Sequence, residues 1–174
     1  MANTYFLIAT VNVTSAVSTI QFNSITNTYT DLLLKMSIRQ NASSNGSQIG
    51  VRFNSNTANY GRQGFYSNGS AIDTPQGRNE NFARFGFAQS STFTANTFGS
   101  YEMYITSYAS ASNYKNWHTH STSESNTSTV YGQGIWSGIW QYISAINSIT
   151  IQDLSTNTDI AAGSTAYLYC IKNS

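Results

Sequence analysis

Along most of this chain apolar and polar positions alternate with a period of two. In "DLLLKMSIR", Leu32, Leu34, Met36 and Ile38 fall on one side, and Leu33, Lys35, Ser37 and Arg39 on the other. Successive strand side chains point to opposite faces, so this reads as a half-buried antiparallel strand. "QIGVRF" sets Ile49, Val51 and Phe53 against Arg52, and "YEMYIT" groups Tyr101, Met103 and Ile105 opposite Glu102 and Tyr104. "SITIQDL" places Ile149 and Ile151 together. "TAYLYCIK" alternates Tyr167, Tyr169 and Ile171 with Ala166, Leu168 and Cys170, which predicts cover on both faces.

Turn clusters separate these runs: "NASSNGS" (41–47), "YSNGSAIDTPQGRNEN" (66–81) and "STSESNTST" (121–129). Gly and Asn tolerate positive φ, and Ser and Asp bond their own backbone locally. The pattern predicts about nine or ten short strands, near 4–9, 17–23, 31–39, 48–53, 82–87, 98–107, 113–119, 129–136, 147–153 and 166–172. Many short strands joined by polar turns indicate an all-β, antiparallel, jelly-roll-like β-sandwich with little or no helix. One segment dissents. In "GIWSGIWQYISAI", Trp136, Ile139, Trp140 and Ile143 have helical spacing, but Gly134 and Gly138 weaken a helix, so a strand end and a bent loop are expected. Residues 66–81, around Pro75, are expected to form a long mobile loop. No linker or repeat divides the chain, and its 174 residues suit a single domain over 1–174.

Composition narrows the function classes. Charged residues make up 9% of the chain, against roughly 25% in ordinary soluble domains. With a formal net charge of +1 there is no basic stripe for phosphates, which argues against a nucleic-acid partner. No run approaches the ~18 apolar residues of a membrane span. The opening "MANTYFLIATVNV" lacks the basic and apolar regions of a signal peptide, so synthesis without export by that route is expected. Asn, Ser and Thr replace the missing charges, and the five Asn-X-Ser/Thr triplets read as a product of that composition. Cys170 is the only cysteine, which rules out an internal disulfide, and its apolar surroundings predict a small core residue.

The chemically richest stretch is "NYKNWHTHST", which holds both histidines. On a strand His118 and His120 share a face, so both rings reach one ion, but zinc normally takes at least three protein ligands and no carboxylate or cysteine is spaced to complete the set. Strand periodicity sends Trp117 and Thr119 to the opposite face, and the segment reads as a β-edge beside a variable loop. The seven carboxylates are scattered singly, with no nucleophile elbow, phosphate loop or dinucleotide fingerprint. No catalytic residue, metal site or cofactor is assigned, and the expectation is a protein that is not an enzyme. Trp117, Trp136, Trp140 and Tyr131 are the candidate binding residues, as stacking platforms for sugars or anchors of a protein interface.

Two stretches carry a family resemblance. They are "TYFLIATVNVTSAVSTIQFNSITNTYTDLLLKMSIR" (4–39) and "AINSITIQDLSTNTDIAAGSTAYLYCIKNS" (145–174). Together they resemble small β-sandwich virion proteins of tailed bacteriophages, although Cys170 stands where that pattern usually has Gly. The resemblance implies a non-enzymatic structural protein on the virion surface, made in the host cytoplasm. Its most direct form is a capsid decoration or cement subunit, a homotrimer touching the major capsid protein or other virion proteins. The alternative is a tail-fibre or head-fibre module that recognises host surface glycans.

Overall fold

A computed structural model of the chain describes residues 4–43, 47–67, 71–126, 132–154 and 158–172. Thirteen strands are present among them and no helix. They are β1 (Tyr5–Asn12), β2 (Thr19–Phe22), β3 (Asp31–Ile38), β4 (Gln48–Phe53), β5 (Tyr60–Ser67), β6 (Ile72–Asp73) and β7 (Gln76–Glu80), followed by β8 (Ala83–Phe87), β9 (Gly99–Ile105), β10 (Lys115–Thr122), β11 (Gln133–Trp140), β12 (Ile149–Asp153) and β13 (Thr165–Ile171). Among the described residues no helix is long and apolar enough to cross a membrane.

Two antiparallel sheets form a sandwich. The larger runs β1-β13-β3-β9-β10-β11-β5-β6, with β7 also paired to β5, and the smaller runs β2-β12-β4-β8. The first and last strands pair directly, from Tyr5↔Ile171 to Asn12↔Thr165, so the two ends of the chain close one side of the large sheet. The core lies between the sheets. Leu32, Leu34, Met36, Tyr101, Met103, Ile105, Ala166, Leu168 and Cys170 come from the large sheet, and Ile20, Phe22, Ile49, Val51, Phe53, Ile149 and Ile151 from the small one. Cys170 is fully buried beside the Phe6 carbonyl, and burial pushes its thiol above the usual range. The core position expected for this cysteine is therefore the one it holds.

Three expectations need correction. Residues 60–65, given no strand, and 66–67 and 76–80, placed in the mobile loop 66–81, belong to strands β5 and β7. β5 was hidden because its inward positions are Tyr60, Arg62, Gly64 and Tyr66, not an apolar set. The Trp136 ring fills the place of a side chain at Gly64, where a Cβ would lie 2.5 Å from Cε3. The Arg62 guanidinium sits 5.0 Å from the centre of the same ring. The second correction is β11, which continues as one strand through Trp140 instead of ending at 136. Trp136 and Trp140 share a face at strand spacing, while Ile139 lies on the other, so the helical spacing was coincidental. The third is β10. It is no edge, since β9 and β11 flank it on both sides.

Arginines fasten the loops and edges. Arg39 donates to the carbonyls of Ser91, Phe93, Thr94 and Thr97 and so holds the loop before β9. Glu80 pairs with Arg62 at 3.3 Å and Arg84 at 3.1 Å, joining β5 of the large sheet to β8 of the small one.

Candidate functional site

The outer face of the large sheet turns away from the core. Along β10 exposure alternates strictly: Asn116, His118, His120 and Thr122 face out, while Trp117, Thr119 and Ser121 are buried. The face assignments of the histidines and of Trp117 thus follow the periodicity of the sequence. The His118 ring stacks on Tyr104 of β9, with centroids 5.4 Å apart and planes 18° apart, and His120 lies 6.1 Å further along. Across from His120 stands Glu102, which pairs with Lys35 at 3.0 Å. Among the described residues no three His, Cys, Asp or Glu side chains gather as metal ligands.

The tryptophans point inward. Trp117, Trp136 and Trp140 keep 2%, 1% and 1% of their surface. Trp140 stacks on Tyr60 and meets Phe53 edge-on, and Trp136 stacks on Tyr66. Their indole N–H groups have no acceptor, so packing sets their orientation. Inward strand positions put these rings largely between the sheets, and of the three Trp117 also reaches the lining of a groove. Tyr131 lies outside the described residues.

That groove occupies the outer face. It is open, measures ≈ 1140 Å³, and crosses the ends of β10, β11, β5 and β7. Five carboxamides line it: Gln63, Gln76, Asn79, Asn116 and Gln141. Thr106, Ser137 and His118 add hydroxyls and an imidazole, and Arg62 and Arg78 border it. Its lining contains no carboxylate. The register brings these groups together. His118 is opposite Ser137, Ser137 opposite Gln63, and Gln63 opposite Gln76. Gly61 keeps the floor low beside Ile139, where a Cβ would stand 3.3 Å from Cγ2.

A carboxamide offers both donors and acceptors, and so does a hydroxyl or neutral imidazole. The groove can therefore meet a ligand whose groups also do both, in many orientations. Sequence reasoning missed Gln63, Gln76, Asn79, Asn116 and Gln141 because the chain is rich in such residues throughout. The strand register sets Gln63 opposite Gln76, and the neighbouring parts of β7 and β10 and the end of β11 add Asn79, Asn116 and Gln141.

No protein-family model matches the chain, and no curated protein matches it in sequence. Among solved structures it is weakly similar to the galectin LEC-6 of Caenorhabditis elegans, at 8% identity over 98% of this chain and 96% of that one, with a TM-score of 0.34. It is more weakly similar to the CBM2 module of the evolved Dit of Lactobacillus casei BL23 phage J-1, at 10% identity over 97% and 77% of the two chains, with a TM-score of 0.18. At these scores the likeness carries no inference about ligand or role, and the chain is assigned to no family.

Proposed function

We propose that this protein is a non-enzymatic saccharide-binding module, carried on a phage fibre to hold glycans of the host surface. One observation carries the saccharide reading: five carboxamides converge on one open groove whose lining has no carboxylate. Sugar hydroxyls donate and accept at once, which is what such a lining answers. Hydrolysis by the usual pair of carboxylates has neither of its groups there. The fibre setting rests on the resemblance of residues 4–39 and 145–174 to virion sandwiches. The test is binding to an array of microbial and host-surface glycans. The native protein is expected to retain a defined subset, and the double variant Gln63→Ala/Asn116→Ala, folded by circular dichroism, to lose about tenfold or more in affinity, as the removal of two hydrogen bonds implies. A folded native protein that retains no saccharide ends this reading.

A second observation favours a subunit of the virion shell. Phe65 and Ile135 lie directly opposite each other on the outer face, 56% and 57% exposed, next to Ile72 at 74%. Such a patch suits burial against a capsid protein or further copies of this chain in a trimer. A shell ligand stabilises the state it binds. Particles that lack the protein should then be more sensitive to heat or chelators, and unchanged sensitivity removes the shell role.

A further inference from the structure

The polar groove is one half of a longer feature. The row of residues His118, Ser137, Gln63 and Gln76 continues the other way across the large sheet, through Tyr104, Leu33, Tyr169 and Leu7. Each member pairs in register with the next, so the row crosses the strands without a break. Beyond His118 its chemistry changes from amide and hydroxyl to ring and alkyl. Tyr104 and Tyr169 are half-buried, Leu7 is 54% exposed, and Leu33 lies between the two tyrosines. This is the solvent side of the sheet, where an antiparallel strand ordinarily carries polar residues. Charged groups flank the row. The Lys35–Glu102 pair stands one position to one side, and Asp31, which accepts from the Tyr104 hydroxyl at 2.7 Å, one position to the other.

We infer that the ligand of the groove is a linear polysaccharide laid across the strands, its hydroxyls held at the amide end and its C–H faces laid on Tyr169 and the exposed Leu7. This rests on the saccharide reading and extends it to chain length and direction. Neighbouring strands are about 4.8 Å apart, so the row from Gln76 to Tyr169 spans about 29 Å, which is more than a disaccharide covers. Ring faces suit the apolar faces of sugars, and the amide half suits their rims. A polysaccharide offers both along its whole length. The unbroken register from the groove favours it over a protein partner, which would need no continuity between the two halves.

The experiment measures affinity for a graded series of oligosaccharides, from disaccharide upward, cut from one polysaccharide the native protein binds. Affinity should climb with length by at least about tenfold and then level off once the row is spanned. Tyr169→Thr, whose β-branched side chain suits a strand, should remove most of that climb and leave disaccharide affinity unchanged, while Tyr169→Phe keeps it. Affinity independent of length in the native protein overturns the inference and leaves the saccharide reading intact. An equal loss for short and long ligands in Tyr169→Thr also overturns it. A folded native protein that binds no polysaccharide overturns both.

Discussion

Glycine decides more at the residue scale than any charged side chain does. Gly138 lies on the inward face of β11, opposite Trp117 of β10. A Cβ there would stand 2.2 Å from Trp117 Cζ2 and 2.2 Å from the Gly61 carbonyl oxygen. The indole cannot move, because the core holds it, and the carbonyl is backbone. Gly61, one strand away on the outer face, has the end of Ile139 beside it at 3.3 Å and the Gly77 carbonyl oxygen at an ordinary 4.0 Å. Gly138→Ala is therefore expected to cost about 1–3 kcal/mol or more by overpacking. Gly61→Ala should change stability by no more than about 0.5 kcal/mol, as surface substitutions do. Urea unfolding of the two variants checks the contrast, and equal costs contradict the packing described. The sequence shows both glycines but not which one lies beneath a tryptophan.

The strands differ in how plainly the sequence announces them. β3, β4, β9, β12 and β13 alternate cleanly and lie close to their expected positions. β10 alternates as well, which correctly separated Trp117 from His118 and His120. Its place in the sheet could not be read from it. Asn116, Thr119 and Thr122 look like edge residues, yet β9 and β11 cover both sides. β5 is the opposite case. Its core positions hold Arg62 and Gly64, and they count as interior only because Trp136 of β11 supplies the missing apolar volume. No local window of the sequence contains both partners. β7 is hidden for a similar reason. Glu80 folds back over Gly77 to reach Arg62 and Arg84, so a polar segment that reads as loop is held flat as a strand.

Over the whole molecule, several buried phenols set the response to alkali. Tyr101 is fully buried. Its hydroxyl accepts from the Gln89 N–H at 2.9 Å and donates to the Phe87 carbonyl at 3.2 Å. Tyr60 accepts from the Phe53 N–H at 2.8 Å. Burial pushes both phenols well above the ordinary value of 10.0, and that of Tyr108 also upward. A phenol raised in the folded state contributes stability that is fully present below its unfolded pKa, about 10. That contribution is lost as pH rises through the folded value. Lys115 acts in the other direction. It is buried, its ammonium donates to the Asn113 and Ile143 carbonyls, and burial lowers its pKa, so its cost falls as pH rises. The raised thiol of Cys170 acts in the same direction as the three phenols, against the single amine. The melting temperature is expected to fall steadily above pH of about 10, and less steeply in Tyr101→Phe, which at neutral pH loses about 1–3 kcal/mol by leaving the Gln89 N–H unpaired. Melts followed across pH test this, and parallel slopes for the two proteins refute the role given to Tyr101.

The sequence by itself determined the class of fold and the faces of most strands, because a period of two is a local property that any short window displays. It also determined the low charge and the burial of Cys170. Only the tertiary structure decided that the tryptophans are core, that β5 and β7 are strands, and that Gln63, Gln76, Asn79, Asn116 and Gln141 meet in one groove. The reason is register. The local pairs β5–β7 and β10–β11 become neighbours through the β5–β11 pairing, between strands distant in the chain, and that pairing follows from packing the whole sandwich at once.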